Sequence, residues 1–476
     1  MKTASCLRFL AAIITFAWLG PLAAAELPRA VAQALARAGI PLADTAIWVQ
    51  PIDGERPALA LNAARPLNPA SVMKLVTAFA VLERLGPAYT WTTRVAADGT
   101  IDAGTLHGNL HLTGGADPVL SYERLWKLLR HVRALGIDTI AGDIVLDGSA
   151  LRLPAHDPFA FDGRGLRPYN SGPHGMLLHF NTLQLFLHPA AKAGGPVNVT
   201  SSPPLRGLAI ENRIVTEAGP CGVWHRKLDA TLEAGPEGAQ LVLLGALPAS
   251  CGQRAWATAP LPPAAFAAAA VAGLWAEVGG RLTGNVVHGT TPPSATELVS
   301  DSSPALAEVV REMNKWSSNV IARQLLATLG ATDVAAIDMI AAGAAVAVGT
   351  LDATGITTDG LVIENGSGLS RIERIRADSL GQLLLTVWRR PYMPEFIAAL
   401  PMAGVDGTAR RRLDDSPARG YAHIKTGTID SVRAMAGYVL DRHGRRHAVV
   451  MMVNHTKAAD SQAAQDALLE WVWAGR

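Results

Sequence analysis

The sequence is poor in several things, and each shortage excludes a class of protein. Charge of one sign is missing: 42 Lys and Arg face 40 Asp and Glu, a formal net charge of +2, and only 17% of residues are charged. No basic excess is present to neutralise phosphates, so the composition supports no nucleic-acid partner. Three cysteines in 476 residues are too few for a disulfide-dense scaffold. Beyond the N-terminus no purely apolar run reaches the roughly 18 residues of a spanning helix. The alanine-rich stretch 263–275 is too short. Gly-rich phosphate loops and Cys/His clusters are also lacking. What remains is 49% hydrophobic, with 30 Pro and 45 Gly, the composition of ordinary globular domains. The length suits about three of them.

Residues 1–25 read as an export signal. Lys2 and Arg8 form a positive start, Phe9 to Leu22 an apolar stretch, and Ala23-Ala24-Ala25 a small-residue cleavage site before Glu26. The apolar run after Arg8 is about 12 residues long before Pro21, short of the ~20 that a retained anchor needs. A periplasmic protein without an integral membrane anchor is therefore expected, and losing Lys2 and Arg8 makes it formally neutral. Cys6 leaves with the signal. Cys221 and Cys251 remain, and an isolated pair in an oxidising compartment suggests one disulfide closing a loop of about 30 residues. Two buried thiols are the alternative.

Along the chain, Arg29–Ala38 has helical spacing. Ala46–Gln50 and Ala58–Asn62 look like paired strands joined through Pro51-Ile52-Asp53-Gly54. A helix is predicted from about Ser71 to Leu85, since Val72, Leu75, Val76, Phe79 and Leu82 repeat near every 3.6 residues. Short β-like runs dominate from about Thr92 to Ala295: Leu106–Thr113, Asp143–Leu146, Thr182–His188, Val197–Thr200, Ile210–Thr216 and Gln240–Leu244. Helical patterns return at about Pro304–Met313, Val320–Leu329, 333–348 and 377–389. The chain closes as three strands and a helix. His443-Gly444 signals a hairpin between Ala434–Asp441 and Arg446–Val453, and Gln462–Val472 is amphipathic.

Three short motifs carry chemistry. Ser71-Val72-Met73-Lys74 is the single Ser-x-x-Lys, Ser317-Ser318-Asn319 the single Ser-x-Asn, and Lys425-Thr426-Gly427 the single Lys-Thr-Gly. Lysine is scarce, 8 against 34 arginines, so its recurrence in two of the motifs carries weight. Three residues apart on a helix, Ser71 and Lys74 share a face. A neutral lysine can take the serine proton once burial and a second nearby cation lower its pKa. Ser317 can relay a proton, and the Asn319 amide can hold a substrate peptide bond; a helix N-cap is the plainer role for Ser317. Lys425-Thr426-Gly427 is expected to end an edge strand that pairs with an extended peptide. Gly427 permits close backbone approach, Lys425 and Thr426 suit a carboxylate, and the N–H of Thr428 with that of Ser71 forms a candidate oxyanion hole.

In this order the motifs resemble the signature of penicillin-interacting serine acyltransferases. The likeness extends through Leu112-Thr113-Gly114-Gly115-Ala116-Asp117-Pro118, Gly142–Ser149, Asn365-Gly366-Ser367-Gly368-Leu369-Ser370-Arg371 and Gly404-Val405-Asp406-Gly407-Thr408. Across most of its length the chain resembles the D-alanyl-D-alanine carboxypeptidase/endopeptidases of the class C low-molecular-mass penicillin-binding proteins, the penicillin-binding protein 4 type. The resemblance implies an α/β transpeptidase/β-lactamase-like domain, an antiparallel sheet flanked by helices, split by a large β-rich insertion of two small domains. It implies hydrolysis of D-Ala-D-Ala ends and of D-Ala–mesodiaminopimelate crosslinks in peptidoglycan stem peptides, acylation by β-lactams such as penicillin, and no cofactor. Arg371 and Asp162 are implied as substrate contacts; a structural arginine and a solvated loop aspartate are the alternatives. Position 365 is Asn where relatives carry Asp.

On this basis residues 26–92 and 296–476 form the catalytic domain, 93–115 and 188–295 an inserted domain, and 116–187 a nested one. The pairs His107/His111 and His443/His447 lie on predicted strand or turn, where a spacing of four does not converge, so no metal is expected. Gly366-Ser367-Gly368 reads as a tight turn. A β-lactamase or esterase of the same fold, or a non-catalytic cell-wall-binding protein, are the competing functions.

Overall fold

The computed structural model describes residues 27–235 and 238–475; the export signal expected at 1–25 lies outside the described residues. Its architecture is mixed α/β, with an antiparallel sheet flanked by helices and a large insertion. The sheet has five strands in the order Ala422–Ile429, Val432–Leu440, Arg446–Asn454, Thr45–Pro51 and Leu59–Leu61. Every neighbouring pair is antiparallel. Gly444 turns the predicted hairpin at φ +83°, a conformation that costs glycine little.

Both faces of this sheet are covered, which explains the unbroken apolar run along Arg446–Asn454. Val449, Met451 and Val453 face the helices Arg29–Ala38 and Gln462–Trp473. Ala448, Val450 and Met452 face the larger helical layer. At the centre of that layer runs the helix carrying Lys74. Sequence spacing predicts one amphipathic helix from Ser71; instead a 3-10 turn, Ala70–Met73, leads into an α-helix over Lys74–Leu85. Residues Lys74 through Leu82 are all buried, because neighbours pack around the whole circumference. Helices Leu306–Trp316, Asn319–Gly330, Met339–Ala353 and Ala377–Trp388 complete the layer.

The insertion leaves and rejoins this unit through neighbouring strands. Thr92–Ala97 pairs antiparallel with Thr296–Ser302, and Thr92 lies opposite Ser302. The run expected as one strand over Leu106–Thr113 is two, Thr105–His107 and Leu110–Thr113, in different sheets. Gly108 makes the break: a Cβ there would sit 2.7 Å from the Gly99 Cα, so the backbones cross too closely for any side chain. Two helices inside the β-rich stretch were not expected. Tyr122–Ala134 is capped by Ser121 Oγ accepting from Arg124 N, and buries Leu125, Leu128, Leu129 and Val132. Pro263–Glu277, the alanine-rich segment, buries Phe266, Leu274 and Trp275.

Strand pairing also divides the insertion differently from the expectation. Ile144–Asp147, placed in the nested segment 116–187, pairs in parallel with Leu110–Thr113 and Val286–His288. What pairing sets apart is a pair of three-stranded sheets drawn from residues 183–258. Composition locates strands but not their non-local partners. The Cys221–Cys251 disulfide lies within that pair of sheets.

Candidate active site

Ser71 begins on a strained turn. Ala70 before it has φ +45°, a region that costs a non-glycine residue about 1–3 kcal/mol. Four hydrogen bonds hold it there. Asn68 accepts from the Ala70 N–H at 2.8 Å and donates to the Ser370 carbonyl at 2.9 Å, while Asn454 brackets Asn68 through its N–H and C=O. A Cβ at Gly368 would lie 1.9 Å from the Ala70 carbonyl oxygen and 2.5 Å from Ser71 N. A Cβ at Gly427 would lie 2.5 Å from the Pro69 oxygen and 3.0 Å from Ser71 N. Two glycines from distant segments thus close on the Ser71 backbone.

Lys74 is fully buried, with Nζ 3.0 Å from Ser71 Oγ and 2.7 Å from Asn319 Oδ1. Its third partner is the Ser367 carbonyl. All three are neutral, so no carboxylate holds the proton in place. Burial, then the nearby Lys425, push its pKa well below the ordinary lysine value; Glu373 opposes this and Arg323 adds to it.

Lys425 is equally buried. Its Nζ lies 2.9 Å from Ser317 Oγ and 2.6 Å from the Thr426 carbonyl, and burial lowers its pKa to about 7. The motif Lys425-Thr426-Gly427 was expected to end its strand; it sits inside Ala422–Ile429, because pairing runs on through Thr428–Arg433 and Ile429–Val432. This strand is the sheet edge. Pro401 and Met402 cover it at Ile424 and His423, and beyond Ile424 it has no strand partner on its outer side among the described residues. Thr428 is exposed on that stretch. Thr426 Oγ1 lies 3.0 Å from Thr408 Oγ1.

Ser317 is not an N-cap. It ends the preceding helix in the left-handed region, φ +59°, and Ser318 caps the next one by accepting from Ile321 N. The hydroxyl of Ser317 is therefore free to face Lys425. Asn319, the first residue of that next helix, accepts from Lys74 and donates to the Tyr169 carbonyl at 3.2 Å.

The turn under the site comes from Asn365–Arg371. Asn365 Oδ1 accepts from Ser367 N and Oγ, and its Nδ2 donates to the Leu369 carbonyl at 3.1 Å. An amide serves this turn because both an acceptor and a donor are required. Glu373, which sequence reading missed, is fully buried and takes the N–H groups of Glu364, Asn365 and Gly366 on Oε1. Burial pushes its carboxyl above the usual range. Arg323 was missed as well. It donates to the carbonyls of Tyr169 and Ser171 at 3.1 and 2.7 Å, and burial lowers its pKa to about 10. Neither residue belongs to a short motif, so only the packing reveals them.

Asp162 and Arg371 sit at the periphery. Asp162 is exposed and accepts from Arg164 N, Tyr169 Oη and Asn170 Nδ2. Slight burial raises its pKa, and those hydrogen bonds outweigh it, holding the carboxylate below its usual range. Arg371 stacks 4.5 Å over the Phe161 ring and reaches Asp430 at 3.4 Å. Asp162 thus braces the 161–170 loop from within and Arg371 packs on it from outside; the Tyr169 carbonyl of this loop accepts from Asn319. Among the described residues no group of three His, Cys, Asp or Glu side chains can hold a metal, and no helix is long and apolar enough to cross a membrane.

The profile of the D-Ala-D-Ala carboxypeptidase 3 (S13) family matches residues 27–474. The D-alanyl-D-alanine carboxypeptidase of an Actinomadura species is 30% identical over 419 residues, covering 84% of this chain and 76% of the relative. D-alanyl-D-alanine carboxypeptidase DacB of Haemophilus influenzae is 25% identical over 406 residues, covering 83% and 82%. The crystal structure of penicillin-binding protein 4 from Haemophilus influenzae shares the fold, with a TM-score of 0.77 at 22% identity over 93% of this chain and 99% of that one. A predatory endopeptidase of Bdellovibrio bacteriovorus has a TM-score of 0.52 at 14% identity, covering 90% and 93%.

Proposed function

We propose a mechanism for a chain that belongs to the D-Ala-D-Ala carboxypeptidase 3 (S13) family and is a serine-type D-Ala-D-Ala carboxypeptidase with a penicillin-binding fold. Hydrolysis runs through an acyl-enzyme on Ser71. The observation that carries this reading is Lys74 Nζ, buried 3.0 Å from Ser71 Oγ with neutral partners only. In its neutral form, which the lowered pKa makes more accessible, it takes the serine proton as Oγ attacks the carbonyl between the two D-Ala residues. The N–H groups of Ser71 and Thr428 receive the developing oxyanion. Lys425 and Thr426 bind the terminal carboxylate, and Asn319 orients the peptide along the open edge of Ala422–Ile429. Ser317, against Lys425, relays the proton from Lys74 to the leaving amine as the C–N bond breaks, which returns Lys74 to its neutral form. Water then cleaves the ester; Lys74 takes the water's proton and passes it to Ser71 Oγ as that bond breaks.

The reading extends to cleavage of D-alanyl–mesodiaminopimelate crosslinks, in which the leaving amine belongs to a second stem peptide. Asp162 and Arg371 are the proposed contacts for the far side of such a substrate. Penicillin acylates Ser71 as a mimic of the D-Ala-D-Ala end. Export to the periplasm, where stem peptides are found, completes the reading. Catalytic residues come from 26–92 and 296–476, and the insertion supplies the loop at 161–170.

Labelling with fluorescent penicillin tests the nucleophile: the label is expected on the wild type and absent from Ser71→Ala, and label retained by that variant would overturn the mechanism. Digestion of purified peptidoglycan, with products identified by mass, separates the two activities. Free D-Ala reports the carboxypeptidase, and loss of crosslinked dimers reports the endopeptidase.

A further inference from the structure

Segments 156–174, 225–232 and 256–264 of the insertion enclose an open cleft of about 1600 Å³, lined by none of the residues proposed for catalysis. Its charge departs from that of the near-neutral chain: Arg164, Arg167, Arg226 and Lys227 line it against one carboxylate, Asp229. Lys227 is paired with Glu217. The three guanidinium groups have no side-chain hydrogen-bond or salt-bridge partner among the described residues.

Two further lining side chains are left with unused polar atoms. Trp256, 6% exposed, keeps its indole N–H without an acceptor, and Asn181, 3% exposed, keeps its carbonyl oxygen without a donor. Buried groups of this kind are costly unless something pairs with them. Three guanidinium forks without side-chain partners match a peptide that carries carboxylates. The volume points the same way, since pockets for small molecules run to about 300–1,000 Å³.

The cleft is coupled to the catalytic centre through one loop. On one side, the Tyr169 and Ser171 carbonyls accept from Asn319 and Arg323. On the other, the Leu166 carbonyl accepts from Ala259 N at 2.8 Å, and Arg164 and Arg167 line the cleft. A carboxypeptidase that releases a single D-Ala has no use for a second peptide site. An enzyme that cuts crosslinks has two stem peptides to hold. We propose that this cleft binds the second stem peptide of a crosslinked dimer, its carboxylates on Arg164, Arg167 and Arg226. The inference rests on the endopeptidase reading above.

The test is calorimetric titration of Ser71→Ala protein, which binds without turnover, with a crosslinked stem-peptide dimer and with the single pentapeptide. The dimer is expected to bind about tenfold more tightly, the worth of one or two charge-assisted hydrogen bonds. That advantage is expected to fall with salt, to shrink in Arg167→Gln/Arg226→Gln and to vanish in Arg167→Glu/Arg226→Glu. The milder glutamine pair guards against a reversal that disturbs folding. Equal affinity for the two peptides, or a dimer advantage that survives both substitutions, overturns the proposal. Because no bond is cut, that failure is distinct from failure of the endopeptidase reading, which is judged by crosslink loss from peptidoglycan.

Discussion

The catalytic centre and the insertion cleft both gather cations, in opposite states. The cations that touch the reacting hydroxyls, Lys74 on Ser71 and Lys425 on Ser317, are lysines, buried completely and stripped of the water that stabilises their charge. Burial lowers both pKa values, that of Lys425 to about 7. In the cleft three of the four cations are arginines on an open surface. The contrast follows from side-chain chemistry: an ammonium loses its proton readily when desolvated, and a guanidinium does not. In the proposed reading Lys74 transfers protons and Lys425 holds the substrate carboxylate, whereas the cleft arginines only hold anions.

Exchanging the two residue types is the sharpest way to break this comparison. Lys74→Arg puts a permanently charged group where a neutral base is needed. Penicillin acylation measured by stopped flow is expected to fall about 10²–10⁴-fold, the usual worth of a general base. Wild-type rates in this variant would erase the distinction between the regions.

The disulfide tests whether the insertion stands on its own supports. Cys221→Ser/Cys251→Ser opens a loop with a sequence separation of 30 residues. By the chain-entropy relation this costs the unit holding it about 3–4 kcal/mol, read by denaturant titration. Loss of penicillin labelling in step with that unfolding would show that the two regions fold as one.

The pH profile sharpens the account of the lysines. As pH rises, Lys74 loses its proton and becomes able to accept one, so kcat/KM rises on the acid side. Above about 7, Lys425 loses its charge and its hold on the substrate carboxylate, so kcat/KM falls on the alkaline side, approaching about tenfold per pH unit. Lys425→Arg is expected to remove the alkaline fall, whatever it does to the maximum. The smallest effect is that of Glu373→Gln. The Glu373 charge raises the pKa of Lys74, so its removal is expected to move the acid limb to lower pH. A limb that stays in place would show that Glu373 supports the turn alone.

Legibility followed the range of the interactions. Helix Arg29–Ala38 and the hairpin at Gly444 were readable because each depends on neighbours within a few residues. The three motifs were readable because their residue types are rare here and their order is informative. Helix Tyr122–Ala134 had a legible cap in Ser121 and apolar residues at helical spacing, yet the β-like runs around it masked the pattern. The split at Gly108 was illegible, since its cause, Gly99, matters only once the two backbones meet.

By itself the sequence determined the catalytic vocabulary: a serine and a lysine on one helical turn, a Ser-x-Asn, a Lys-Thr-Gly and a pair of cysteines. Covalent identity and local periodicity suffice for those. Only the tertiary structure decided that Ser71, Lys74 and Asn319 touch while Ser317 faces Lys425, and that Ile144–Asp147 joins strands on both sides of it in sequence. It also decided that Glu373 lies buried within electrostatic reach of Lys74. The physical reason is the same in each case. Burial and charge proximity are properties of how distant segments pack, and the pKa values on which the chemistry depends exist only after that packing is complete.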